Sequence, residues 1–219
     1  MIPQPLRLVI FDCDGVLVDS EGPSSHLVAQ EVSALGWPMT AAESLHRFVG
    51  YRLSDIVPIV EAHLGRPVPP GWVAHLRTRL IEVLGQEVEP MPGALEALRA
   101  VAALGLPVRV ASNSGHEEMQ AKFGRTGLAG FVQGRIHSAY DVARGKPAPD
   151  VFLAAAAAEG VPPASCLVVE DSVTGVTAAV AAGMACIGLA PHGDGLALEA
   201  AGARLIRSLS ELPALLHAA

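Results

Sequence analysis

The sequence has few cysteines, and none of them lies at a metal-binding spacing. Its 219 residues include Cys13, Cys166 and Cys186, an odd number without the paired spacing of a zinc site. We therefore interpret them as reduced thiols and expect a cytoplasmic protein. The segment MIPQPLRLVIFDCD enters an acidic stretch too early for a secretory signal, which agrees with that expectation.

Long apolar runs and basic runs are also missing. No apolar stretch reaches the roughly 18 residues of a membrane-spanning helix, so no membrane partner is expected. Lys and Arg number 15 against 22 Asp and Glu, a formal net charge of −7, which argues against a nucleic-acid surface. The charge balance is compatible with a small anionic substrate, because such a site needs only a few local cations. No apolar seam is visible in the surface pattern, and we expect a monomer.

The distribution of apolar residues predicts an α/β fold. Hydrophobic residues make up 51% of the chain, enough for a large core. Short Val-, Leu- and Ile-rich runs alternate with segments of helical spacing, which is typical of a doubly wound parallel-sheet (Rossmann-like) core. The predicted strands are 6–11, 106–112, 166–171, 185–190 and 203–206, and the predicted helices between them are 93–105, 116–127, 148–160 and 172–183.

One long segment interrupts this alternation. Residues 22 to about 88 contain no convincing strand and have the pattern of three or four helices joined by Pro- and Gly-containing turns. We predict two domains on this basis. Residues 1–19 and 90–219 form the α/β core with the catalytic site, and residues 20–89 form a helical cap inserted after the first strand.

Polar side chains of complementary type follow several predicted strands. Carboxyl ends of parallel strands converge on one crevice, where such folds bind ligands. We therefore expect carboxylates, a hydroxyl, an amide and one ammonium to meet there. In chain order these residues are Asp12 and Asp14, Ser112 and Asn113, Lys146, and Glu170 with Asp171.

This combination of groups is suited to phosphoryl transfer. Carboxylates crowded in a crevice repel one another, and a divalent cation relieves that repulsion. Hard oxygen ligands at Asp12, Asp171 and Glu170 favour Mg²⁺. Lys146 adds a second positive charge, so that an anion would be held from both sides.

The motifs also resemble those of a known family. DCDGVLVDS, SNS, GKPAPD and VVEDSVTG are similar, in order and spacing, to the motifs of the haloacid dehalogenase-like hydrolase superfamily. The helical insert occupies the place of that superfamily's C1 cap. The resemblance covers nearly the whole chain, and is greatest to the branch that contains β-phosphoglucomutases and 6-phosphogluconate phosphatases.

The resemblance implies roles for the two aspartates of the first motif. Asp12 would be the nucleophile that forms an aspartyl-phosphate. Asp14 would protonate the leaving oxygen and then activate water. It implies that Ser112, Asn113 and Lys146 bind the phosphate. The implied Mg²⁺ ligands are Asp12, Asp14 through its backbone carbonyl, Glu170 directly or through water, and Asp171.

The insert favours a phosphatase over a mutase. By similarity to β-phosphoglucomutase, the substrate-reading stretch of the cap is VGYRL, where Gly50 matches but Val49 and Leu53 replace a lysine and an arginine. Ser24 stands where the mutase has a histidine. We therefore expect a Mg²⁺-dependent phosphatase for a small phosphorylated metabolite, such as a sugar phosphate or sugar-acid phosphate, with Arg52 and Gly50 contacting the substrate. The alternative is a phosphohexomutase such as β-phosphoglucomutase.

Two further classes of function also use this kind of site. A non-catalytic binding module could share the fold, but intact Asp12, Asp14, Lys146 and Asp171 argue against it. A phosphorylated receiver domain also has acidic strand ends, although a helical insert directly after its first strand does not suit it. The fold alone does not decide between these classes.

Overall fold

The structure is a computed structural model that describes residues 2–48 and 51–217. The chain divides into two compact units. One comprises Met1–Asp19 with Pro90–Ala219 and contains the large sheet, and the other is Ser20–Glu89. The strands are β1 (Leu8–Phe11), β2 (Val18–Asp19), β3 (Glu89–Pro90), β4 (Val108–Ser112), β5 (Ile136–Ser138), β6 (Cys166–Glu170), β7 (Ala185–Leu189) and β8 (Arg204–Ile206).

The larger unit is built on a six-stranded sheet of order β5-β4-β1-β6-β7-β8. Every adjacent pair in this sheet is parallel. The chain moves outward from β1 to β4 and β5 on one side, and then to β6, β7 and β8 on the other. The strand order therefore reverses beside β1, which is where doubly wound sheets bind their ligands.

The five predicted strands of the large sheet are confirmed. Three strands were not predicted: β5 of that sheet and the two-residue strands β2 and β3. The five predicted apolar runs contain β1, β4, β6, β7 and β8. The edge strand β5 has only three residues. Two of them are half-buried, because an edge strand is covered less completely than a central strand. Its sequence, Ile-His-Ser, is too short and too polar for the apolar-run criterion to detect.

Helices cover the sheet because the strands carry apolar residues on both faces. Leu8 and Ile10 of β1 pack in one buried cluster with Phe152 and Val176, which lie on two crossover helices. Val9 and Phe11 alternate with them and are also fully buried, so β1 is covered on both sides. The helices of this unit are α5 (Ala94–Ala103), α6 (His116–Thr126), α7 (Ala129–Val132), α8 (Asp150–Ala158), α9 (Val173–Ala181), α10 (Leu196–Ala200) and α11 (Leu212–His217).

The smaller unit is helical. Its described residues form α1 (Glu21–Ala34), α2 (Ala41–Phe48), α3 (Leu53–Leu64) and α4 (Trp72–Glu87). Thr40 and Glu43 begin α2 with reciprocal capping bonds of 3.2 and 2.8 Å. Trp37 stacks on His63 with ring centroids 3.8 Å apart. Within the described ranges, no helix combines the length and apolar character that crossing a bilayer requires.

Candidate active site

Three adjacent strands deliver the acidic and hydroxyl groups to one edge of the sheet. Asp12 directly follows β1, Ser112 ends β4 and Glu170 ends β6, and these strands are neighbours in the sheet. The backbone N–H of Asp12 donates to the carbonyl of Val169 at 2.9 Å. This bond extends the β1–β6 ladder by one residue and fixes where the Asp12 side chain begins.

Lys146 links the carboxyl group that follows β1 to the carboxyl group that ends β6. Its Nζ donates to Asp12 Oδ1 at 2.5 Å and to Glu170 Oε1 at 2.6 Å. All three residues are buried, and Lys146 is only 8% exposed. The Lys146 ammonium also lies 4.7 Å from the centre of the Phe152 ring, a cation–π distance. One ammonium is therefore held between two carboxyl groups and beside an aromatic ring.

Burial sets the protonation of this group. It raises the pKa of Asp12 to about 7, with Glu170 and Asp14 adding to the shift and Lys146 opposing it. Burial by itself lowers the pKa of Lys146, but the carboxylates of Asp12 and Glu170 outweigh it and raise the pKa overall. Lys146 is therefore a permanent cation. Asp12 sits in a site that disfavours its charge until another cation arrives.

Glu170 is anchored on both of its oxygens. While Oε1 accepts from Lys146, Oε2 accepts from the backbone N–H of Asp171 at 3.0 Å and from both N–H and O–H of Ser172 at 2.9 Å. Ser172 also caps α9 by accepting from the N–H of Gly175 at 3.0 Å. A Cβ at Gly175 would lie 1.7 Å from Glu170 Oε1, so the glycine is required by the position of this carboxylate.

Asp14 lies in a different environment from Asp12. Its Oδ1 accepts from Lys122 Nζ at 2.6 Å, and its Oδ2 accepts from Ser114 Oγ at 2.9 Å. Lys122 lies on α6, is 1% exposed and also donates to Glu118 at 2.5 Å. Burial lowers the pKa of Lys122, but the Asp14 carboxylate and its other anionic neighbours outweigh it and raise the pKa. The two aspartates of the first loop are thus each paired with a different buried lysine.

The predicted phosphate ligands occupy different positions around this centre. Ser112 is buried, and its Oγ accepts from the backbone N–H of Ser114 at 3.0 Å. Asn113 does not point its amide at the carboxylates, because its Oδ1 accepts from the N–H of Lys146 at 3.0 Å and its Nδ2 donates to the Lys146 carbonyl at 3.4 Å. Asn113 therefore holds the backbone that carries Lys146.

The acidic residues can hold a metal ion. Asp12, Glu170 and Asp171 each offer an oxygen, and these oxygens lie within 4.8 Å of one another. Gly15 has a φ of +74°, and a Cβ there would lie 1.9 Å from Asp171 Oδ2. The loop that follows β1 therefore leaves room for the Asp171 carboxylate, because Gly15 has no side chain. A set of hard oxygen ligands of this kind fits Mg²⁺.

The predicted substrate contacts lie in the helical unit. Arg52 is the residue before α3, and its Nε donates to Asp55 Oδ2 at 3.1 Å with 66% of its side chain exposed. Gly50 lies outside the described residues. The substrate contacts of both residues stay predictions.

Sequence reasoning missed Lys122. Helical spacing places it on α6 without marking it as part of a site, since it is distant in sequence from every strand end. The composition does contain a signal that could have identified Lys122. Lys122 and Lys146 are the chain's two lysines, and all its other cationic residues are arginines.

Comparison with known proteins agrees with the geometry of the site. The sequence model of the haloacid dehalogenase-like hydrolases matches residues 6–183. This range includes the predicted site residues of the larger unit, from Asp12 to Asp171. The chain belongs to the haloacid dehalogenase-like hydrolase family. The family resemblance predicted from the motifs is thereby confirmed. The Rossmann-like fold predicted from the apolar pattern is confirmed by the six-stranded parallel sheet.

Proteins whose names refer to different substrates are similar to the chain. The 6-phosphogluconate phosphatase of Escherichia coli K12 is 32% identical over 180 residues, which cover 82% of this chain and 80% of that protein. A probable pseudouridine-5′-phosphatase of Drosophila melanogaster is 34% identical over 183 residues, with 80% and 78% covered. A haloacid dehalogenase family hydrolase of Deinococcus radiodurans R1, solved with bound phosphate and sodium, is 34% identical with a TM-score of 0.81, covering 98% of this chain and 96% of that one.

Proposed function

We propose that the protein is a Mg²⁺-dependent phosphatase that hydrolyses a small phosphorylated metabolite through an aspartyl-phosphate. The observation that carries this proposal is the pairing of Asp12 and Asp14 with separate buried lysines. Two carboxylates two positions apart are thereby given different surroundings, as a nucleophile and a proton shuttle require. The phosphatases among the similar proteins, and the phosphate bound to the Deinococcus radiodurans hydrolase, support the same chemistry.

In the first step, an oxygen of Asp12 attacks the phosphorus of the substrate. The bond between phosphorus and the ester oxygen breaks, and Asp14 donates its proton to the departing oxygen. In the second step, Asp14 takes a proton from water, the water oxygen attacks the phosphorus, and the bond to Asp12 breaks. Inorganic phosphate leaves, and both aspartates return to their starting states.

The remaining residues hold the transferring group. Lys146 places a positive charge beside Asp12, where the phosphoryl oxygens would lie, and Ser112 offers a hydroxyl on the adjacent strand end. Asn113 contributes by fixing the backbone of Lys146. Both the lysine and the serine are buried, so their interactions with an anion are weakly screened by water.

Mg²⁺ is the cation that this site would hold. When bound, it would neutralise charge on the phosphoryl oxygens. Asp12, Asp171 and the backbone carbonyl of Asp14 are the proposed direct ligands. Glu170 already accepts hydrogen bonds on both oxygens from Lys146, Asp171 and Ser172, so we propose that it acts through a water molecule.

We propose that the helical unit, residues 20–89, is a cap that selects the substrate. Arg52 is its proposed cation for a carboxylate or hydroxyls of the substrate, with Gly50 beside it. Relatives of similar identity carry the names of a 6-phosphogluconate phosphatase and a probable pseudouridine-5′-phosphatase, so similarity to these relatives does not choose between the two substrates. A monomeric state and a cytoplasmic location remain predictions.

The test is phosphate release from a panel of esters. The panel contains 6-phosphogluconate, phosphoglycolate, hexose 6-phosphates, β-glucose 1-phosphate and p-nitrophenyl phosphate, each with Mg²⁺ and with EDTA. We expect Mg²⁺-dependent release that is lost in Asp12→Asn. Release that continues in EDTA would contradict the metal assignment, and release that continues in Asp12→Asn would contradict the nucleophile.

The same panel tests the mutase alternative. Conversion of β-glucose 1-phosphate to glucose 6-phosphate in the presence of a bisphosphate primer, without net phosphate release, would replace the phosphatase assignment. We expect hydrolysis instead, because Val49, Leu53 and Ser24 lack the cationic groups with which a mutase would hold a bisphosphate.

A further inference from the structure

We propose that Lys122 is a positioning residue for the proton shuttle, holding the Asp14 carboxylate so that Asp14 can protonate the leaving oxygen. This inference rests on the proposed phosphatase function. Its basis is a contact between a lysine of α6 and a loop 108 residues earlier in the chain, with Lys122 Nζ and Asp14 Oδ1 2.6 Å apart.

The Lys122 ammonium uses all of its hydrogens. Besides Asp14, it donates to Glu118 Oε1 at 2.5 Å and to Ser114 Oγ at 3.2 Å, and an ammonium has three N–H donors. Three acceptors within 3.2 Å hold the position of Nζ. Ser114 Oγ lies 2.9 Å from the other oxygen of Asp14 and 3.0 Å from Glu118 Oε1, and its one hydrogen can be donated to either. Both oxygens of Asp14 therefore have a donor group within hydrogen-bond distance.

Packing alone does not account for this lysine. Lys122 is 1% exposed and lies between the buried residues Met119 and Phe123 of α6, where an apolar side chain would pack without any charge to compensate. Burying an ammonium is costly unless carboxylates surround it. Glu118, one helical turn earlier, could serve as the lysine's partner by itself, yet the ammonium also reaches Asp14 on the catalytic loop.

The small number of lysines in this chain also supports a role for Lys122 in the active site. The chain has two lysines and thirteen arginines. The other lysine, Lys146, binds Asp12. Both lysines are thus buried against one of the two aspartates of the first loop. An ammonium is a compact point charge on a slim stem, whereas a planar guanidinium needs more room.

The role predicts a dependence on the leaving group. An alkoxide needs a proton as it departs, whereas p-nitrophenolate leaves without one. Substitution Lys122→Met keeps the length of the stem and removes the three donors. We expect kcat/KM for the best alkyl phosphate of the panel to fall by ~100-fold or more, as for loss of a general acid. For p-nitrophenyl phosphate we expect kcat/KM to change by only a few-fold.

The second half-reaction gives an independent signature. Asp14 also activates water, so hydrolysis of the aspartyl-phosphate should slow in Lys122→Met. With p-nitrophenyl phosphate, rapid mixing should then show a burst of p-nitrophenol equal to the enzyme concentration, followed by slow turnover. A merely structural role would reduce both substrates alike and would lower the burst amplitude to the fraction of folded enzyme.

Two further variants guard against misfolding. Lys122→Met leaves Glu118 without its ammonium partner, so Lys122→Met combined with Glu118→Gln is measured beside it, with circular dichroism and urea unfolding of each. Glu117→Gln, an exposed charge change on the same helix, is the matched control and should behave as wild type. In an Asp14→Asn background, Lys122→Met should cause little further loss for the alkyl phosphate.

The outcomes separate this inference from the proposed function. Active wild-type protein with a folded Lys122→Met variant that loses equal activity on both esters, or loses none, overturns the inference and leaves the phosphatase assignment standing. A leaving-group-selective loss with a burst supports it. A wild-type protein that hydrolyses no ester overturns both proposals, because a positioning residue needs a reaction to serve.

Discussion

Lys146 Nζ lies 2.5 Å from Asp12 Oδ1 although 134 residues separate the two in the chain. The side chain of Asn113 holds the backbone of Lys146 by hydrogen bonds to its N–H and its carbonyl. Lys146 also binds Glu170, so it links the carboxylates that follow β1 and end β6. The ends of these strands are therefore tied by one buried cation, on which both stability and catalysis should depend.

Replacing this cation should destabilise the fold as well as remove activity. In Lys146→Met, Asp12 and Glu170 would be left as buried carboxylates without a counter-ion, which typically costs about 3–5 kcal/mol. Urea unfolding in EDTA measures this loss. Adding Mg²⁺ should recover part of it, because the metal supplies positive charge to the same carboxylates. An unchanged unfolding free energy would contradict the account of Lys146 as their compensating charge.

A methyl group at position 15 should weaken metal binding. In Gly15→Ala the Cβ would overlap Asp171 Oδ2, and the backbone φ of +74° would be strained. Displacing a ligand in this way typically costs about 10–100-fold in metal affinity. The Mg²⁺ concentration for half-maximal activity should rise accordingly, with a lower melting temperature.

Gly124→Ala is the matched control for Gly15→Ala. Gly124 lies within α6, and a Cβ there would meet no atom within 4 Å. Alanine favours the helix over glycine by about 1 kcal/mol, so the control should be as stable as wild type or more stable. Wild-type Mg²⁺ dependence in Gly15→Ala would refute the close approach of Gly15 to Asp171.

The edge strand should contribute a pH-dependent term to stability. Burial, together with the guanidinium of Arg109 3.2 Å away, lowers the pKa of His137 from its usual 6.5. The unfolded chain therefore binds more protons than the folded chain just below pH 6.5, and stability falls as the pH drops from 6.5 through the folded-state pKa. Stability from this residue is fully present above that window.

Urea unfolding of wild type and His137→Gln between pH 8 and pH 5 measures this term. The difference in unfolding free energy between the two proteins should shrink as the pH falls below 6.5, because glutamine has no proton to gain. Parallel curves over the whole range would show that His137 does not titrate differently in the two states.

Arg52 should affect substrate binding more than stability. Its ion pair with Asp55 is exposed, and such pairs contribute only about 0–1 kcal/mol. Arg52→Ala should therefore melt near wild type while the KM for the best substrate rises. Asp55→Ala breaks the same pair but keeps the arginine, so its KM should not rise. If both variants keep the wild-type KM, Arg52 does not contact the substrate.

Much of the architecture is determined by the sequence alone, because hydrophobic periodicity is a local property. Continuous apolar runs such as LRLVIF identify strands that are buried on both faces, and the acidic residues directly after them identify the strand ends that converge. The helices of residues 20–89 follow from the same kind of pattern. Strand β5 does not, since Ile136–Ser138 is short and partly exposed at the edge of the sheet.

Only the tertiary structure decided which group each polar residue contacts. Asp12 and Asp14 are alike in sequence, and their separate lysines come from distant parts of the chain. Asn113 has the spacing of a phosphate ligand, but its amide binds the backbone of Lys146. Lys122 lies on a helix that has no motif of its own. Pairing between distant residues depends on how helices and strands pack in three dimensions, and a local pattern of residue types carries no record of that packing.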